Sequence, residues 1–138
     1  MKPDVEAAIA SLRTGMAGLN VKVLEDGSGG AYVIVEGVDL GETFSPSETW
    51  IGFQIVWSCP EPDVYPHFID ASLRYVGTGA TPNQHIDGNL PTTMARSGVM
   101  PGFDLPAIVV SRRSNRHNPD TDTPLTKLLR VLTFLRSR

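Results

Sequence analysis

The chain's nucleophiles, bases and anion-binding groups are sparse and unevenly placed. Its one thiol, Cys59, lies in "CPEPDVYP", ahead of Pro60 and close to Glu61 and Asp63. Nearby carboxylates and burial behind an apolar strand both disfavour a thiolate, so Cys59 reads as an inert structural residue. One cysteine cannot build a structural zinc site, and His67, His85 and His117 lack metal-ligand spacing, so no metal is expected. "GSGG" lacks the Lys-Ser/Thr of a phosphate-binding loop, and "GTGATPN" has two glycines of a dinucleotide fingerprint with no helix after it. No nucleophile-elbow sequence supports a serine hydrolase. The densest run of polar chemistry is "AIVVSRRSNRHNPDTDT", 107–123, where Arg112, Arg113, Arg116, His117, Asp120 and Asp122 crowd one loop.

That loop belongs to a chain of split charge. Of its 138 residues, those from Arg112 onward carry seven basic and two acidic residues, a local +5. The remainder carries five basic and thirteen acidic residues, or −8. Such a split suits an acidic partner for the basic end, or simply a solvated helix face with a basic tail. At 41% hydrophobic and 20% charged residues, the length suits one domain with an ordinary core. No run reaches the length of a membrane span, "MKPDVEAAIASL" is not signal-like, and the lone cysteine suits a reducing, cytoplasmic setting.

The elements that must position these residues follow from periodicity. Val5, Ala8, Ile9, Leu12 and Met16 recur at helical spacing, with Pro3 near the start and Gly18 as the stop. "VKVLE" and "AYVIVEGV" alternate about the turn "DGSGG" and predict a hairpin. "ETFSPSET" reads as a polar loop, "WIGFQIVW" (50–57) as a central strand and "HFIDASLRYV" as a fourth strand. The stretch from Gly77 to Pro106 reads as a long irregular loop, with "AIVVS" a short extended piece leading out of it. In the last element Thr123 or Asp122 can cap and Pro124 fits the first helical position. There Leu125, Leu128, Leu129, Leu132 and Leu135 form the apolar stripe, opposite Lys127, Arg130 and Arg136.

This order, with "FQIVWSCPEPDVYP" as third strand and Tyr-Pro turn and "PAIVVSRRSNRHNPDTDTPLTKLLRVLTFL" as active-site segment and following helix, resembles the ubiquitin-conjugating enzyme family. The wording "SRRSNRHNPDTDT" looks closest to its bacterial branch, found in ubiquitin-like conjugation operons linked to antiphage defence. The resemblance implies an α+β, UBC-like fold over 1–138: N-terminal helix, four-stranded antiparallel meander, long active-site loop and C-terminal helix. It also implies a transferase that accepts a ubiquitin-like protein as a thioester from an activating enzyme and passes it to an amine on an acceptor protein. No cofactor, nucleic acid or membrane is implied.

Carried over residue by residue, the family's catalytic cysteine falls on Ala107, whose methyl group can neither accept nor release an acyl group. Two origins are open: an engineered Cys→Ala form, favoured because the surrounding loop keeps the family's wording, or a naturally inactive adaptor that binds a ubiquitin-like protein or activating enzyme. By the same resemblance Asn83 or His85, in "TPNQH", would stabilise an oxyanion, though each also reads as a turn residue. His117 would relay a proton or sit on the loop surface. Asp120 and Asp122 would orient the incoming amine, with helix capping the competing role for Asp122. Arg112, Arg113 and Arg116 would lower a thiol's pKa or grip a partner's acidic surface. The family's His-Pro-Asn stretch close ahead of the cysteine is missing, His117 replaces its tryptophan, and the chain ends with its second helix.

Overall fold

A computed structural model describes residues 1–82 and 94–137, with the backbone alone for 94–97. It is α+β, with one helix before and one after an antiparallel sheet in the chain. The elements are α1 (Pro3–Gly15), β1 (Val21–Glu25), β2 (Ala31–Asp39), β3 (Phe44–Ser45), β4 (Glu48–Ile55), β5 (His67–Asp70), β6 (Arg74–Tyr75), β7 (Met94–Met100), β8 (Leu105–Val110) and α2 (Pro124–Arg136). β1, β2, β4, β5, β8 and β7 form one six-stranded sheet in that order, and β3 pairs with β6 beside it. No helix among the described residues is long and apolar enough to cross a membrane.

The alternation read from sequence sorts the sheet into two faces. Val33 and Val35 of β2, Ile51, Phe53 and Ile55 of β4, Ile69 of β5, and Ile108 and Val110 of β8 point toward the helices. There they meet Val5, Ile9 and Leu12 of α1 and Leu128, Val131, Leu132 and Leu135 of α2. The intervening residues Ile34, Phe68, Ala107 and Val109 form a second apolar cluster on the far face. That cluster is closed by the turn joining β7 to β8. Met100 lies over Gly52, where a Cβ would sit 2.7 Å from its Sδ. Gly102, at φ +83°, passes so close to the Tyr32 ring that no side chain could be added.

Several expectations change. The meander is four strands of a six-stranded sheet: β7 forms within the stretch read as irregular, and the extended piece read at "AIVVS" is β8, which begins at Leu105 and pairs with both β5 and β7. "HFIDASLRYV" breaks after Asp70 and resumes as β6, which pairs with "FS" from the supposed polar loop and stacks Tyr75 on Phe44 at 5.2 Å. α1 stops at Gly15 rather than Gly18, and a Cβ on Gly15 would strike Leu125 of α2. In α2 the buried stripe is rotated: Leu129 is exposed, while Phe134 and Lys127 are buried. Thr123, not Asp122, is the cap; its hydroxyl accepts from the Thr126 N–H, and Thr126 reaches back to the Thr123 N–H.

Candidate functional site

The loop from Ser111 to Thr123 leaves the end of β8 and returns to the first turn of α2, and two carboxylates pin it. Asp63, on the loop after β4, accepts the Ser114 N–H at 2.7 Å and the Ser114 hydroxyl at 3.0 Å. Lys127 of α2 donates to both Asp63 oxygens, at 3.1 and 2.9 Å, and to Ser114 Oγ at 2.9 Å. Lys127 is only 4% exposed, so its charge is tolerable because a carboxylate and a hydroxyl replace the water it has lost. Burial pushes the Asp63 carboxyl up, but the hydrogen bonds from Ser114 and Lys127 outweigh it and hold the group below its ordinary value.

The second pin is Asp122. It accepts Arg130 at 2.7 Å and the Asn118 N–H at 2.8 Å. The Arg130 bond, more than any other influence, keeps its carboxyl below the ordinary value. His117 lies between the pins: Nε2 donates to the Pro60 carbonyl at 2.8 Å, and Nδ1 is 3.9 Å from Asp63 and 3.8 Å from Asp122. Both ring nitrogens are thus directed at groups of the protein itself, in a wall rather than on the loop surface. Asp120 is exposed, and its own N–H bonds to Asn118 Oδ1 in a local turn.

The pinned loop turns its arginines outward. Arg112 stacks its guanidinium 4.3 Å from the centre of the Phe134 ring, and Arg113 does the same over Tyr65 at 4.1 Å. Both are exposed, as is Arg116. Among the described residues none of the three has a carboxylate partner. With Asn115, Lys127 and Arg130 they line a cleft of about 280 Å³ against α2.

Ala107 is placed quite differently from the expected reactive position at the head of a loop. It lies within β8, paired with Asp70 of β5 on one side and Gly98 of β7 on the other. Its methyl is 1% exposed among Ile34, Phe68, Met100 and Val109. A nucleophile needs an approach path for its acyl donor, and an internal strand under a folded-over turn supplies none. The reason is topological. β7, unseen in the sequence, adds a strand outside β8 and makes a strand interior of what reads as a strand edge. Asn83 and His85 lie outside the described residues.

Cys59 lines a separate cavity of about 250 Å³ with His117, Asp63 and Lys127. Burial, and secondarily Asp4, pushes its thiol pKa up. The direction is the one read from sequence, but the carboxylate responsible is Asp4 of α1 rather than Glu61 or Asp63. Two groups escape sequence reasoning: the Asp63–Lys127 pair, because Lys127 falls on the polar side of a leucine count, and the orphaned His67. His67 is fully buried on β5, with neither ring nitrogen hydrogen-bonded among the described residues. Burial drives its pKa down to about 3. The described residues hold no group of three His, Cys, Asp or Glu placed to bind a metal ion. Compared with known proteins, the chain matches no family model, no curated protein and no solved structure.

Proposed function

We propose that this chain is a non-catalytic binding module of the ubiquitin-conjugating-enzyme type, docking an acidic protein partner, a ubiquitin-like protein or its activating enzyme, through the loop that carries Arg112, Arg113 and Arg116. The observation that carries the reading is the surroundings of Ala107. A methyl group packed in an apolar cluster, with hydrogen-bonded strands on both sides, suits a scaffold and not a thioester carrier. The chain's own thiol is poorly suited to the task, since burial pushes the Cys59 pKa up and disfavours the thiolate. The helix–sheet–helix order, which is compatible with that layout, and the resemblance of 106–135 are what support the family reading. The arginines without a carboxylate partner supply the contact, in the chemistry that suits a carboxylate-rich surface.

The test uses two proteins: the chain as it stands and its Ala107→Cys variant. Each is mixed with ATP and the activating enzyme and ubiquitin-like protein of its own genome. The expected result is a non-covalent complex with both proteins, weakened by Arg113→Ala or Arg116→Ala, and no adduct on Ala107→Cys that a reducing agent cleaves. A reducible adduct on that variant, formed while the activating enzyme is charged, would replace the module with the thioester carrier that the resemblance alone implies.

A further inference from the structure

The cleft between the arginine loop and α2 has a charge imbalance with a specific chemical meaning. Five cations line it, but two are already neutralised from behind, Lys127 by Asp63 and Arg130 by Asp122. Arg112, Arg113 and Arg116, in the same concave site of about 280 Å³, have no carboxylate partner among the described residues. Two of them are not free to wander, because the guanidinium carbon of Arg112 sits over the Phe134 ring and that of Arg113 over the Tyr65 ring. A guanidinium held over a ring by its carbon keeps N–H groups that can still donate to a ligand. The loop itself is fixed at Ser114 by the bonds to Asp63, so the site is organised before any ligand arrives.

From this the geometry points to a phosphate monoester as the ligand of this cleft, gripped by Arg112, Arg113 and Arg116 with the Asn115 amide beside them. A carboxylate has two oxygens and one negative charge, and one guanidinium satisfies it in a bidentate pair. A phosphate monoester brings three terminal oxygens and close to two charges, which match three arginines sharing one concavity. A single-stranded nucleic acid is a poorer match, since it needs ring faces for its bases, and here the Phe134 and Tyr65 faces are covered by arginine. The −8 carried by the rest of the chain would also oppose a long polyanion while leaving a compact one unaffected. This deepens the proposed function by naming what the partner presents, and rests on that reading only in treating the arginine loop as the partner-facing surface.

The experiment is a calorimetric titration of the full chain, with backbone amide shifts recorded in parallel. The probes are inorganic phosphate, a phosphoserine heptapeptide, the same peptide with serine and the same peptide with glutamate. The phosphopeptide is expected to bind at least about tenfold more tightly than the glutamate peptide, because extra charge-assisted hydrogen bonds form. Inorganic phosphate is expected to move the same amides in 112–116 more weakly. Phosphate binding as tightly as the phosphopeptide would identify a free phosphate compound as the source, with the site itself intact. Arg113→Lys and Arg116→Lys keep the charge and should still lose about tenfold each if planar, multidentate contacts are at work. Equal binding of the phospho and glutamate peptides, undiminished binding by the lysine variants, or displacement of the phosphopeptide by an equimolar single-stranded oligonucleotide would overturn the assignment. Phosphopeptide binding without any complex with the ubiquitin-like protein or activating enzyme would remove the proposed function and keep this one. The reverse pattern would do the opposite.

Discussion

Ala107 and Arg112 stand five residues apart, and the chain treats them in opposite ways. At Ala107 the strand is paired on both sides, and the side chain is sealed in an apolar cluster. At Arg112 the strand has ended, the side chain is exposed and it is held from below by an aromatic ring. The difference comes from what each segment hydrogen-bonds to. β8 finishes its ladder at Val110; beyond it the loop has only local backbone bonds, such as Arg112 N–H to the Val110 carbonyl, and the long-range anchors are the carboxylates of Asp63 and Asp122. Rigidity is therefore available on both sides of Val110, and only the loop combines it with access. A molecule that worked by covalent chemistry at 107 would need the reverse arrangement.

The comparison is broken most severely at the loop's pin. Asp63→Ala leaves Lys127 buried with no carboxylate, and removal of one partner of a buried pair costs about 3–5 kcal/mol. Urea unfolding should show a loss of that size, and hydrogen exchange at Ser114 should accelerate beyond it. Replacing both partners, as Asp63→Leu with Lys127→Met, should recover most of the stability without restoring the fixed loop. The same pin sets an acid limit. Because the folded-state pKa of Asp63 lies below the ordinary 3.8, its contribution is complete above that value and is lost as pH falls through the lower, folded one.

On the other side of Val110, Ala107→Leu tests how closed the far face is. Three added carbons meet Met100, Phe68 and Ile34 with no open side, and overpacking of this kind costs about 1–3 kcal/mol. An unchanged melting temperature would mean that the turn between β7 and β8 lifts away, and with it the argument that no acyl donor can approach.

How much of this is legible in the sequence differs between the two regions. α1, the first hairpin, the strand ending at Ile55 and the start of α2 are readable because their periodicity is strong and their breaks are marked by Gly or Pro. Cys59 is recognisable as a hindered thiol from its apolar, acidic neighbourhood. β7 is hidden, and β8 shows only as the short extended piece "AIVVS" with no hint of its two partners. Gly98, Pro101, Gly102 and Pro106 break the alternation, and strand pairing depends on partners far away in the chain, on which composition is silent. Without β7 in view, position 107 reads as an edge. Lys127 reads as solvent-facing for a related reason. Leucine spacing defines a helix face only to within a residue or so, and the decisive partner, Asp63, lies 64 residues earlier. Arg112, Arg113 and Arg116 are recognisable as a cationic cluster, but nothing local reveals the rings beneath two of them.

His67 sharpens the comparison from inside the core. It shares the helix-facing side of the sheet with Ile69 and packs 5.1 Å from Phe53, centre to centre, with both nitrogens unpaired among the described residues. In the unfolded chain the ring takes a proton near its ordinary 6.5; in the folded one only near 3. Between those values the unfolded state binds more protons, so stability rises with pH across the window and is complete only above about 6.5. The slope within it approaches about 1.4 kcal/mol per pH unit. His67→Leu should flatten the curve over that range and, by removing an unsatisfied polar group, gain about 1 kcal/mol at pH 7. A variant that keeps the wild-type slope would mean that the ring has a partner in solution.

The smallest energetic effect belongs to the substitution with the most chemical consequence. Ala107→Cys adds one sulfur atom in place of a hydrogen, and a cysteine behaves as a small hydrophobe in such surroundings, so stability should change by less than about 1 kcal/mol. What distinguishes the two faces is reactivity. With a disulfide reagent at neutral pH, the half-buried Cys59 should be modified slowly in the native protein. In a Cys59→Ser background, the thiol introduced at position 107 should be silent until denaturant is added, because reagent and thiolate must reach each other through β7, β8 and the turn that covers them. Modification of the introduced thiol at a rate equal to or above that of Cys59 would mean an open path to position 107. In that case the arginine loop would have to be reinterpreted as the flank of a reactive centre, and the proposal that it is a docking surface beside a closed strand would fall.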